Sequence, residues 1–307
     1  MFMKYIEVFN RDLNTSLKHE NKDADAFRLQ VDLILKSLVE RLNANKKAIV
    51  IGAGKMKDFS ATFFVRSFDE VVLTDIDMLS VNEAVNNLEI SEKDKKKITK
   101  IRIEYTGFEK NAFFQDFKER IVNCRTFEKI DQVINSKLDG LENYRFLKEY
   151  ENSGDLIYMS PIYTQLVYNQ VLRECSILRE SGYPEHMIKY IENIMLDKMV
   201  HVIDRFNDNI IKTLNDDGYL LVISDVLQLD KNSNFYLRVK NGIRSHEVME
   251  EIYSAYKEKH GIGIGDYGLL NLDEKLKSYL SRWLIWPFDG STSFVVKLKI
   301  YKKELNR

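Results

Sequence analysis

The segment Val50-Ile51-Gly52-Ala53-Gly54-Lys55-Met56-Lys57-Asp58 limits the folds open to this chain more than any other stretch. It follows from Lys47-Ala48-Ile49-Val50-Ile51, a short continuous apolar run of the kind a strand buried on both faces requires. A strand that runs into Gly-x-Gly and then a helix brings bare backbone up to a ligand, where a Cβ would collide. Asp58 to Val65 reads as that helix. A second β-rich run, Glu70 to Thr74, then delivers Asp75, twenty-three residues beyond Gly52. A carboxylate at such a strand end can accept two hydrogen bonds from a ribose diol, as nucleotide-type sites require.

The alternation of strand and helix continues. Leu79 to Leu88 is helix-forming, Lys100 to Tyr105 reads as a third strand, Asp155 to Met159 as a fourth and Tyr219 to Ile223 as a fifth. This pattern predicts a parallel α/β sheet with its ligand edge at the carboxyl ends of the strands. Upstream, Phe27, Val31, Ile34, Leu35, Leu38 and Leu42 fall on one helix face, with Asp23 and Asp25 near its positive end. Residues 1–44 thus read as a helical N-terminal cap, weakly patterned over 1–20, and residues 45–307 as the main domain. Residues 106–152 exceed an ordinary crossover and carry a helical apolar pattern at Phe113, Phe117, Ile121, Phe127, Ile130 and Ile134, which predicts an insertion beside the sheet. A long helix follows, with Ile188, Ile191, Met195, Met199, Val202, Phe206 and Ile210 at spacings of three and four; its methionines read as core filling. Glycine and polar residues punctuate 231–273. Arg282–Trp286 and Phe294–Ile300 then flank Pro287-Phe288-Asp289-Gly290-Ser291, a hairpin signature that predicts a reversed strand at 294–300.

Composition narrows the partners. The 46 basic and 47 acidic residues nearly cancel, which argues against nucleic acid, whose binders carry a basic surplus. No apolar run approaches the roughly 18 residues of a membrane span. Arg11 and Asp12 interrupt the first segment too early for a secretory signal. Cys124 and Cys175 lack metal-ligand spacing and read as reduced thiols, so a cytoplasmic chain is expected. Oligomeric state is not written in the sequence.

Two cofactor classes fit the glycine loop. A dinucleotide fold calls for Gly-x-Gly-x-x-Gly, and the third glycine position here is Lys57. A cofactor without phosphate needs only room for an amino-acid end and a ribose. At this point the sequence resembles the class I S-adenosylmethionine-dependent methyltransferases. The matching stretches are Ile49–Asp58, Val71–Asp77, Asp155–Tyr163 and Asp217–Asp225, with the closing hairpin Trp283–Ile300 similar to that family's reversed last-strand pair. The resemblance implies a Rossmann-like sheet, S-adenosyl-L-methionine as cofactor, and methyl transfer to a small molecule or a protein side chain. It further implies that Gly52, Ala53 and Gly54 line the methionine end, Asp75 holds the ribose hydroxyls, and Ile76 packs on the adenine. Thr106 and Gly107 would sit at the adenine edge, where the family often has an acidic or amide residue. Asp77 reads as the cap of a helix beginning near Met78.

Ser160-Pro161-Ile162-Tyr163 resembles the Asp/Asn/Ser-Pro-Pro-Tyr/Phe loop of amino-group methyltransferases, with Ile162 in place of the second proline. On that likeness Ser160 borders the cofactor and Tyr163 is the catalytic contact to the acceptor. The same residues also suit a helix start, with Ser160 as N-cap and Pro161 in the first turn. His186, His201, His246 and His260 show no catalytic or metal-ligating spacing, and Gly261–Asp266 reads as a loop over the site. Aminocarboxypropyl transfer from the same cofactor, as in nicotianamine-synthase-like enzymes, NAD-dependent oxidoreduction and a non-catalytic binding module remain alternatives.

Overall fold

A computed structural model describes residues 5–16, 22–42 and 44–304. Its centre is a seven-stranded mixed sheet: β1 (Lys47–Ile51), β2 (Glu70–Asp75), β3 (Ile98–Arg102), β4 (Gly154–Met159), β5 (Leu214–Asp230), β6 (Lys277–Pro287) and β7 (Thr292–Lys302). The spatial order is β3-β2-β1-β4-β5-β7-β6. β1 to β5 are parallel where they pair, and β7 runs antiparallel to β5 and to β6. This is the Rossmann-like α/β sheet with a reversed C-terminal strand that the alternating pattern predicts. The order turns back between β1 and β4, so the carboxyl ends of these two strands frame a crevice.

Alternation along each central strand sorts its side chains into two layers. Ala48, Val50, Leu73, Leu156, Tyr158 and Leu221 face one side, where α2 (Lys22–Val39) and α3 (Ala61–Ser67) pack. α2 presents Phe27, Val31, Leu35 and Leu38, all buried. Ile49, Ile51, Ile157, Met159, Leu220 and Val222 face the other side. The long helix there is the sequence's clean three-four repeat, and its Met195 and Met199 are core residues.

α1 (Tyr5–Ser16) precedes this frame, and α4 (Met78–Asn86) and α5 (Glu92–Lys95) join β2 to β3. α6 (Phe117–Ile121) and α7 (Phe127–Leu138) form the segment between β3 and β4. α8 (Tyr168–Glu180) and α9 (Glu185–Thr213) lead into β5. The polar stretch after β5 is mostly helical, as α10 (Asn234–Gly242), α11 (His246–His260) and α12 (Ile264–Lys275). Glycines hide this in the sequence: Gly265 and Gly268 sit inside α12 because its backbone lies against Asp225 and the Tyr163 ring, where a Cβ would come within 2.1 and 2.4 Å. Gly261–Asp266 is therefore the junction of two helices and not a loop over the site.

Two boundaries also differ from expectation. β3 ends at Arg102, three residues before Tyr105. No helix starts at Ser160; a 3-10 turn occupies Tyr163–Gln165 and α8 begins at Tyr168. Asp77 caps α4 as expected, accepting from the Ser80 amide at 3.3 Å and its hydroxyl at 2.7 Å. No helix among the described residues is long and apolar enough to cross a membrane.

Candidate functional site

The β1 turn is built for close approach. Gly52 has φ +73° and Gly54 φ +45°, left-handed values that favour glycine. At Gly52 a Cβ would also lie 3.2 Å from Ile162 Cδ1. The turn is braced from below. The Gly52 amide donates to the Tyr105 hydroxyl at 3.0 Å, the two hydroxyls of Tyr105 and Thr74 lie 2.8 Å apart, and Thr74 donates to the Val50 carbonyl at 2.8 Å. With the Thr74 proton committed to Val50, Tyr105 is the donor to Thr74, and the chain of bonds closes with each hydroxyl both giving and receiving.

Asp75 stands at the end of β2 with its two oxygens held apart in function. Oδ2 accepts from the Gly54 amide and Oδ1 from the Asp77 amide, each at 2.8 Å. One lone pair of each oxygen is used, and the other is left for a ligand. Burial pushes the Asp75 carboxyl up to about 6, opposed by the Asp77 and Gly54 amides and reinforced by the nearby Asp77 charge. No lysine, arginine or histidine among the described residues forms an ion pair with it.

Asp75 and the glycine turn open on one cavity, continuous with solvent at its mouth. Gly52, Ala53, Gly54, Asp75, Ile76 and Ser160 all line it, so six of the nine residues expected at the site converge there. The other three do not. Tyr163 is fully buried away from the cavity; its hydroxyl donates to Asn207 Oδ1 at 2.8 Å, and its ring packs on Gly268. It pins the 3-10 turn to α9 and α12 and is a packing residue, which corrects its expected contact with an acceptor. Thr106 is buried in a hydrogen-bonded bracket, its amide and hydroxyl both donating to Glu104. Gly107 faces the Tyr144 ring, where a Cβ would lie 2.7 Å from Cγ. Both assignments follow from reading β3 as too long: the strand ends early, and Glu104 lines the cavity in place of Thr106 and Gly107. Burial raises the Glu104 carboxyl.

Sequence reasoning also passed over Tyr105, Trp286 and the α1 residues Ile6 and Asn10, all of which line the cavity. An acid within two residues of the third strand was the available signal for Glu104. For α1 there was none, because its position depends on long-range contacts: Glu7 meets Arg102 at 3.1 Å, and Asp12 meets Arg173 at 3.2 Å. None of His186, His201, His246 or His260 lines the cavity. Among the described residues no group of three His, Cys, Asp or Glu side chains could hold a metal ion.

No family profile matches the sequence, and no curated protein matches it. Solved structures of similar chain course include a SAM-dependent methyltransferase from Methanosarcina mazei, at 11% identity and TM-score 0.41, over 88% of this chain and 98% of that one. The N-methyltransferase NodS from Bradyrhizobium japonicum aligns at 12% identity and TM-score 0.36, over 96% and 97% of the two chains. Phosphoethanolamine N-methyltransferase 1 from Haemonchus contortus, solved with S-adenosylhomocysteine, aligns at 14% identity and TM-score 0.39, over 73% of this chain and 33% of that one. Likenesses of this order assign no role to any residue, and the reading of the site rests on the cavity itself.

Proposed function

We propose that this chain binds S-adenosylmethionine in the Gly52–Asp75 cavity and transfers its methyl group to a small molecule or a protein side chain. The observation that carries the reading is the Asp75 carboxylate. It is buried, lines the cavity, and keeps one lone pair on each oxygen beside a glycine turn that gives backbone access. A ribose diol satisfies both oxygens at once, and Ile76 offers an apolar surface to a purine. Lys57 at the third glycine position speaks against a pyrophosphate-binding turn.

The chemistry the bound cofactor supplies is a methyl group activated by a sulfonium. What this chain contributes is orientation and exclusion of water, which suffice for much of the acceleration of an in-line displacement. Gly52 to Gly54 set the floor, Asp75 fixes the ribose, and α1 covers the cavity through Ile6 and Asn10. Titration calorimetry tests the reading: S-adenosylhomocysteine is expected to bind in the micromolar range or tighter and NADH not at all. The reverse preference overturns it. With S-adenosylmethionine and an acceptor, release of S-adenosylhomocysteine marks methyl transfer, whereas methylthioadenosine marks aminocarboxypropyl transfer.

A further inference from the structure

The strands of the sheet are unequal in reach. β1 to β4 span five or six residues each, whereas β5, β6 and β7 span 17, 11 and 11. β4 stays beside β5 as far as Met159, opposite Val222, and from Ile223 to Asp230 β5 pairs with β7 alone. β5, β7 and β6 thus continue as a three-stranded flap past the edge on which the cavity opens. One face of the flap is covered: Leu227, Leu229, Trp283 and Val295 pack with Met249 and Tyr253 of α11. Alternation turns Trp286 and its cross-strand partner Phe294 to the opposite face. There Phe27 of α2 lies nearly parallel to the half-buried indole, at 23° and 6.0 Å between centroids, and Phe288 meets it edge-on at 5.9 Å. With Phe294 at 6.1 Å, three rings fix the indole in place. Of these four aromatic side chains Trp286 is the one that lines the cavity.

The cofactor contacts proposed above leave this ring without a role. Asp75, Ile76 and the glycine turn follow β2 and β1, and in the strand order β4, β5 and β7 stand between β1 and β6. Among the described residues the lining holds one other aromatic ring, that of Tyr105, whose hydroxyl is engaged beneath Gly52. An ammonium group calls for several rings arranged around it as a cage. A single ring held rigidly offers instead a flat wall on which another aromatic ring packs. Pro161, Ile162 and Leu166, which follow β4, add apolar surface to the same cavity and suit a neutral ring. We infer that Trp286 is the wall of the methyl-acceptor subsite, and that the acceptor is a small molecule presenting a planar aromatic ring. The inference rests on the S-adenosylmethionine reading and narrows its acceptor class.

Titration calorimetry on the protein saturated with S-adenosylhomocysteine tests it with three probes: phenol, cyclohexanol and tetramethylammonium. The first two share size and hydroxyl group and differ in flatness and in the π-face. Phenol is expected to bind about three- to tenfold more tightly than cyclohexanol, the scale of one aromatic pair, and tetramethylammonium more weakly than phenol. Trp286→Leu should abolish the preference for phenol while S-adenosylhomocysteine affinity stays within about twofold of wild type, which also shows that the variant is folded. Trp286→Phe, which keeps a ring, should restore the preference. The chain has two tryptophans, so Trp283→Phe leaves Trp286 as the sole indole emitter. In that variant phenol should quench the emission saturably and cyclohexanol should not, and this measurement carries the test if Trp286→Leu does not fold. No saturable binding of phenol, equal affinity for phenol and cyclohexanol, tighter binding of tetramethylammonium, or a preference that survives Trp286→Leu overturns the inference and leaves the cofactor reading standing. An equal loss of phenol and S-adenosylhomocysteine affinity in Trp286→Leu also overturns it, by placing the ring against the cofactor. A wild type that does not bind S-adenosylhomocysteine overturns both.

Discussion

At the scale of single residues, Asp75 was legible because it needs only a strand end and a spacing, and both are local properties of the sequence. Its expected behaviour is correspondingly sharp. Asp75→Ala should weaken S-adenosylmethionine binding by about 1.5–3 kcal/mol, a ten- to hundredfold loss by calorimetry. The pH dependence follows from its raised carboxyl. In the ligand-free protein burial pushes the group up to about 6 from its ordinary value of 3.8, so folding favours its neutral form. Its contribution to stability is present below about pH 4 and is lost as pH rises through 6. Cofactor affinity runs the other way, because only the carboxylate accepts from both hydroxyls: it should fall about tenfold between pH 7 and pH 5, and Asp75→Ala should flatten that dependence. Tyr163 was misread because its motif fixes a position after a strand but not the direction of its ring. Tyr163→Phe should leave cofactor affinity within about twofold and lower stability by about 1–2 kcal/mol, the cost of stranding the Asn207 acceptor. A large loss of affinity in that variant would return Tyr163 to the site.

Elements were legible where hydrophobic periodicity alone defines them. The parallel strands and the long helix α9 carry their patterns in consecutive residues, whereas the end of β3 and the helices after β5 depend on contacts made from far along the chain. Tyr105 shows the difference: as the end of a strand it would be unremarked, but one turn beyond β3 it becomes the brace beneath Gly52. Tyr105→Phe should leave the Gly52 turn without its hydroxyl support and weaken cofactor binding several-fold, with a loss of about 1 kcal/mol in stability by denaturant unfolding. α1 is the clearest case of an element whose place could not be read. Its ion pairs to Arg102 and Arg173 are partly exposed and individually weak, so Ile6 and Phe9, both buried, supply most of its attachment. Removing residues 1–16 should therefore weaken cofactor binding while leaving the cooperative unfolding of the sheet intact. Loss of the unfolding transition in that truncation would show α1 to be part of the core.

At the scale of the molecule, the strand order places the loops after β1, β2, β3 and β4 along one edge, and the reversed β7 carries the sheet on from β5 to β6. That much follows from alternating strand and helix and a terminal hairpin. The covering of the edge does not, since it draws on α1, on Trp286 at the end of β6 and on Glu104 beyond β3, which the chain brings together only on folding. On the proposed reading this edge holds S-adenosylmethionine between Asp75 and the glycine turn. A crystal structure with S-adenosylhomocysteine tests it most directly. Both ribose hydroxyls are expected within hydrogen-bond distance of the two Asp75 oxygens, with the adenine against Ile76. A ligand seated elsewhere, or a ribose that leaves Asp75 without contact, would contradict it.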